Sequence, residues 1–178
     1  MNKLVLRPID TAEPTALSAL QADVFDDHER SEQLAAVVAA EAAARPEGVA
    51  RDVLSPFGLA AYRAGVLIGW SQGHRQGKSE FYMLNSGVAR SERRQGVYTE
   101  LARGILAHAT SGGYTKVTSR HAASNTAVLI AKLRLGFQVS GFEYSEVYGP
   151  LVQLTFLVHE ARRRLYRQRS ASIRTSSP

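Results

Sequence analysis

VARSERRQGVYTEL, residues 88–101, is the stretch whose reading decides the fold. Before it, SEFYMLNSGV (79–88) has the composition of a strand. After it, Val97, Leu101, Ile105 and Ala109 recur every four residues, with Tyr98, Ala102 and Leu106 beside them, which predicts a helix. The loop between strand and helix carries Arg90, Arg93 and Arg94. The first amides of any helix lack internal partners, and Ser, Thr, Asp or Asn normally caps them. Here Arg94, Gln95 and Gly96 hold the capping positions. The amides are therefore left for an outside acceptor. The helix dipole favours an anion there, and Gly96 lets a ligand approach the backbone closely. On charge alone the arginines would read as a solvated loop. Strand, glycine and uncapped helix together point to a diphosphate. The stretch is neither a Walker-type loop, which needs a Lys-Ser/Thr pair, nor a GxGxxG dinucleotide loop.

Upstream, KLVLRPI alternates as a strand, and TAEPTALSALQADVF reads as a helix with Thr11 as its cap and Pro14 in its first turn. DDHERSEQLAAVVAAEAAAR predicts a second helix capped by Ser31. Between Phe57 and Ala89 lie three strand-like pieces turned at Ala64-Gly65 and Gln76-Gly77-Lys78, an antiparallel meander. Downstream, Gly112-Gly113 stops the central helix, and YTKVTSR is a fifth strand. SNTAVLIAKLRLGF is a short helix closed by Gly136, and two final strands are parted at Gly149-Pro150. No repeat or second domain is visible. The expected division is a catalytic-type domain over residues 1–158 and a basic tail over 159–178, helical and then disordered.

Composition narrows the classes. Hydrophobic residues make up 44% of the 178, enough for a core, and no run of about 18 apolar residues could span a membrane. The opening MNKLVLRPID is too short and polar for a signal peptide. The chain has no cysteine, which excludes disulfides and thiol chemistry and fits the cytoplasm. The net charge is +6. From His159 on, six arginines against Glu160 give +5; the preceding residues, 16 basic and 15 acidic, give +1. The tail is a candidate for nucleic-acid contact, but without interleaved aromatics a solvated helix is the favoured reading. No His/Asp/Glu spacing resembles a metal site.

Two motifs, in order, resemble the GNAT superfamily of acyl-CoA-dependent N-acetyltransferases. The first is Arg/Gln-x-x-Gly-x-Gly/Ala after a valine-ending strand, here Val88 and then Arg93 to Tyr98. The second is an asparagine before a short helix ending in Gly-Phe, here Asn125 to Gly136-Phe137. The resemblance covers roughly residues 3 to 158. It implies an α/β (α+β) fold, the acyl-CoA N-acyltransferase fold: a mixed, twisted, mostly antiparallel sheet of about seven strands flanked by helices. Strands four and five would splay to admit acetyl-CoA. Backbone amides of Arg93, Arg94, Gln95, Gly96, Val97 and Tyr98 would hold the diphosphate, with Thr99 also at the cofactor. Ser86 and Val88 would pair with the pantetheine arm, and an amide near Ser86 would face the thioester oxygen. Asn125 would touch the pantetheine or phosphate region, or cap its own helix, or both.

The implied reaction is direct attack of a primary amine, of a small molecule or a protein, on the thioester. An alkylamine is almost wholly protonated at neutral pH, so a group must take a proton. Here the sequence departs from its relatives. Where many carry a tyrosine acid seven residues after the asparagine, this chain has Lys132; a lysine in a partly buried cleft can act as an acid, bind a phosphate or point to solvent. Where several carry a carboxylate or histidine six residues before Val88, it has Tyr82, with Glu80 on the same strand face. Tyr98 replaces a small residue; it leaves less room beside a phosphate, though its hydroxyl could reach one. His121, at the end of strand five, is the best-placed histidine for proton transfer. Asp26, Asp27, Glu29, Glu32, Glu143 and Glu146 are candidates to attract a cationic amine, or a solvated acidic surface, and Tyr144 and Tyr148 to line its side. A non-catalytic acyl-CoA sensor or scaffold of the same fold is the competing reading. Homodimers are common in the family, and the oligomeric state stays open.

Overall fold

A seven-stranded sheet organises the molecule, in the order β1-β2-β3-β4-β5-β7-β6. The computed structural model describes residues 3–25, 36, 56–146 and 148–172. The second predicted helix, its cap Ser31 and the acidic residues Asp26, Asp27, Glu29 and Glu32 lie outside these. The strands are β1 (Leu4–Pro8), β2 (Pro56–Arg63), β3 (Val66–Gln76), β4 (Glu80–Val88), β5 (Lys116–Ala122), β6 (Gln138–Ser145) and β7 (Gly149–Leu157). Four helices are described: α1 (Pro14–Val24), α2 (Val97–Ser111), α3 (Thr126–Arg134) and α4 (Glu160–Ser172). Every strand pair is antiparallel except β4–β5. The sheet is thus mixed and mostly antiparallel.

Local chemistry sets the element ends. Ala64 and Gly65 both have positive φ, 51° and 82°, the signature of the two-residue turn that joins β2 to β3. Helix α1 is capped by Glu13, whose carboxylate accepts from the amides of Thr15 and Ala16 at 3.1 and 2.7 Å. Thr11 does not cap it. Thr11 lies in a preceding 3-10 turn, its hydroxyl donating to the Pro8 carbonyl. Proline at the first helical position moved the start inward, because it needs no amide partner there.

Helix α2 is the keel of the fold. Its Val97, Leu101, Ala102, Ile105 and Ala109 are all buried. Val97 and Leu101 pack with Ala61, Ile68 and Val88, while Ala102, Ile105 and Ala109 pack with Phe81, Met83, Val117, Phe137 and Leu154. Burying such side chains contributes about 1.5–3 kcal/mol each, so this one face ties β2, β3, β4, β5 and β7 together. The helix lies close to the sheet: a methyl group at Gly104 would come within 2.3 Å of Leu59. Helix α4 is joined to β7 by Arg163, which donates to the Leu157 and Val158 carbonyls at 2.6 and 2.7 Å.

Candidate functional site

The site begins where β4 stops pairing with β5. Their parallel ladder covers only Glu80 to Tyr82 against Lys116 to Thr118. Beyond it β5 runs on with β7, and β4 runs on with β3. A bulge helps them part. The β3–β4 register steps from Gln72↔Asn85 to Gly73↔Met83, leaving Leu84 as an extra residue. An extra residue bends a strand and increases its twist. The β4 edge from Met83 to Val88 therefore faces a fork with no strand of the described residues on it.

At the far end of that edge stands the loop into α2. A 3-10 turn spans Arg90–Glu92, and Arg94 and Gly96 both have left-handed backbones, with φ of 62° and 80°. No side chain caps α2, and Glu100 is the first residue whose amide bonds back, to the Gly96 carbonyl at 3.1 Å. Alternating conformations of this kind turn successive amides into one concavity, at the positive end of the helix.

The far end of the free β4 edge and the loop open on one cleft of about 860 Å³. Ser86, Gly87 and Val88 form one wall, and Arg93, Arg94, Gly96, Val97, Tyr98 and Thr99 form the end. The other wall is α3 with Asn125, Val128 and Arg134. Of the ten residues expected around a cofactor, only Gln95 is elsewhere. Its side chain turns away to Arg63 and to the Ser91 carbonyl, at 3.1 Å for the latter. Asn125 caps α3, its Oδ1 accepting from the Val128 amide at 3.3 Å, and it also borders the cleft. Arg93 borders the cleft while its Nε donates to the Val88 carbonyl at 3.1 Å. The Tyr98 hydroxyl is buried, and among the described residues it has no partner; burial pushes its pKa up. It packs with both core clusters rather than standing free for a phosphate.

Of the three settings expected for Lys132, the structure removes solvent and the cleft wall: the residue is wholly buried and does not line the cleft. Its Nζ donates to Ser119 Oγ at 2.7 Å and to Met83 Sδ at 3.2 Å, and lies 4.5 Å from the Phe137 ring centre. Met83 and Ser119 are the residues just past the last β4–β5 pair, so Lys132 spans the strands at the apex of the fork. Desolvation lowers its pKa to about 7. Ser119 Oγ is also 3.0 Å from His121 Nε2, and burial, with Lys132 adding to it, lowers the His121 pKa to about 3. Lys132, Ser119 and His121 thus form one hydrogen-bonded chain.

Glu80 and Tyr82 are not part of it. Glu80 pairs with Lys116 at 2.6 Å and accepts from Thr118, within the closed part of the β4–β5 ladder. Tyr82 lies under the Arg120 guanidinium, 5.4 Å from ring centre to Cζ, and Arg120 in turn pairs with Glu143 at 2.9 Å. Glu146, Tyr144 and Tyr148 are exposed. The sequence reading missed Arg134, although a basic residue in the last turn of the helix after Asn125 was a readable signal. It also missed Val24 and Phe25, which reach the cleft from the end of α1. Among the described residues no group of three metal-ligating side chains is present, and no helix is long and apolar enough to cross a membrane.

An uncapped helix, an open strand edge and a fork between two parallel strands define an acyl-transfer scaffold, and a family model for the GNAT acetyltransferase domain matches residues 3–138. The chain belongs to the GNAT acetyltransferase family. Solved structures share the fold at low identity. The ribosomal-protein-S18-alanine N-acetyltransferase from Escherichia coli superposes with a TM-score of 0.66 at 12% identity, over 88% of this chain and 94% of that one. The IAA acetyltransferase from Bacillus cereus gives 0.64 at 16%, over 87% and 99%. A Bacillus anthracis protein in complex with acetyl coenzyme A gives 0.55 at 15%, over 60% and 64%. No curated protein matches the sequence.

Proposed function

We propose that this protein transfers an acetyl group from acetyl-CoA to a primary amine of a small molecule or a protein, in the cytoplasm. The observation that carries the reading is the uncapped start of α2, its left-handed Arg94 and Gly96 opening on the cleft. Amides of Arg94 to Thr99 would hold the diphosphate, with charge from Arg94 and Arg134. The free β4 edge at Ser86 and Val88 would take the pantetheine arm as an added strand, and Asn125 would border it. The thioester would then lie toward the apex of the fork.

Attack by the amine forms a nitrogen–carbon bond and breaks the carbon–sulfur bond. The amine nitrogen gives up a proton and the departing thiolate takes one. Fixing both reactants in line supplies much of the rate. Lys132 is the titratable group at the apex, and with a pKa near 7 it can hold or release a proton at neutral pH. Ser119 and His121 extend that route by two hydrogen bonds. Glu80 and Tyr82 are weaker candidates, each already engaged by a cation.

The test is acetyl-CoA binding by calorimetry, followed by CoA release over a panel of primary amines. Micromolar binding and release with at least one amine are expected. Absence of acetyl-CoA binding would overturn the reading. Binding without release on any amine would favour an acyl-CoA sensor or scaffold, a reading supported by the withdrawal of Lys132 from the cleft wall.

A further inference from the structure

The loop that presents the amides has an unfavourable shape for its sequence. Arg94 carries a Cβ yet holds a left-handed backbone, which free chains seldom populate. Contacts from outside the loop can offset that cost. Arg63, the last residue of β2, is in place to do so. Its Nη1 donates to the Glu92 carboxylate and to the Gln95 side-chain oxygen. The Arg63 and Glu92 side chains are only 19% and 20% exposed, so this ion pair is much less screened than a surface pair. Gln95 then closes the grip by donating to the Ser91 carbonyl at 3.1 Å. Arg63 thus bonds residues on both sides of Arg93-Arg94 and draws the Gln95 side chain out of the cleft.

We propose that Arg63 is a positioning residue for the cofactor: through Glu92 and Gln95 it holds the Arg94–Gly96 backbone in its anion-accepting shape before any ligand arrives. Arg63 itself does not line the cleft. The inference rests on the reading that this loop takes the diphosphate of acetyl-CoA. Preorganisation of a loop raises affinity by removing an ordering cost, not by adding a contact.

The experiment compares the full-length wild type with Arg63→Met, Arg63→Lys and Glu92→Gln. Each is measured for acetyl-CoA Kd, for kcat and KM with an accepted amine, and for use of S-acetylpantetheine, which lacks the diphosphate. Arg63→Met is expected to weaken acetyl-CoA Kd and KM at least tenfold, leave kcat at saturation within twofold, and leave the S-acetylpantetheine KM unchanged. Arg63→Lys should recover part of the affinity, and Glu92→Gln should also lose affinity, although Glu92 lines the cleft and its removal takes a negative charge away from a bound anion. Unchanged acetyl-CoA affinity in Arg63→Met overturns the proposal. An equal loss for S-acetylpantetheine also overturns it, because that marks general damage to the fold. If Arg63→Met does not fold, Arg63→Lys and Glu92→Gln decide by the same two comparisons. A wild type that binds no acetyl-CoA fails the underlying cofactor reading instead.

Discussion

Lys132 Nζ lies 2.7 Å from Ser119 Oγ, with the amine wholly buried and sulfur, hydroxyl and an aromatic ring among its neighbours. A buried lysine without a paired carboxylate is costly while charged. Its pKa near 7 lies below that of the unfolded chain, so the unfolded state binds more protons between the two values. Stability therefore rises with pH from about 7 toward the unfolded value, and the full cost is felt below 7. Lys132→Met should raise stability by about 1–4 kcal/mol at pH 6. That gain should shrink by pH 10. Urea denaturation across this range checks it; a constant difference at all pH values would refute it.

The same substitution is expected to lower activity. If Lys132 carries the proton at the apex of the fork, its removal takes away the limb of the kcat–pH profile near neutrality and reduces kcat by roughly 10²–10⁴. Stability and activity then move in opposite directions in one variant. A kcat within a few-fold of wild type would leave proton transfer to another group.

Arg94 combines an unfavourable backbone with a cleft-lining charge. Arg94→Gly should stabilise the fold by about 1 kcal/mol or less, since glycine takes the left-handed region freely but loses more entropy on folding. It should also weaken acetyl-CoA binding about five- to tenfold, roughly 1 kcal/mol for one exposed charge. Arg134→Gln should weaken binding similarly without the stabilisation. Thermal melts and calorimetry at two salt concentrations separate these effects.

Trp70, the chain's single tryptophan, reports on the cleft. It packs edge-on to Phe25 at 5.6 Å and donates to Asn85 at 2.8 Å, and both Phe25 and the adjacent Gly87 belong to or border the cleft wall. Acetyl-CoA should therefore change Trp70 fluorescence. Gly87→Ala would put a methyl group 2.3 Å from the indole ring and is expected to cost about 1–3 kcal/mol. It should also alter the emission spectrum before any ligand is added.

Leu101 is wholly buried where α2 crosses the loop's own strand. Leu101→Ala should cost about 2–5 kcal/mol in urea denaturation. Loss of acetyl-CoA affinity should accompany it only as far as the unfolded population grows.

Much of this fold was legible because its signals are local. The four-residue spacing from Val97 to Ala109, the turns at Ala64-Gly65 and Gly77, and the break at Gly149 all act through neighbouring residues. The cleft-lining loop was legible for the same reason: a missing cap shows in the sequence. Illegible features depend on long-range pairing. Nothing in residues 56–63 announces that Arg63 reaches Glu92, 29 positions away. The Ser119–Lys132 bond required knowing that α3 lies over β5 with its lysine inward. Periodicity gave no such warning, since lysine counts as a surface residue in any hydrophobic pattern. Thr11 misled because the cap preference of threonine was weighed without the 3-10 turn that precedes α1.

The position of β7 has a consequence for how the chain comes into being. β5 shares three residue pairs with β4 and seven with β7. During synthesis β5 must therefore wait for residues 149–157 to leave the ribosome before it gains most of its hydrogen bonds. The chain up to β5 already holds the β1–β4 strands, α2 and the loop between β4 and α2, but not Phe137 and Leu154, which complete the α2 face. A chain that has emerged through β6 but not β7 would display β5 with its β7-facing edge unpaired, an edge on which a chaperone or a second nascent chain could pair.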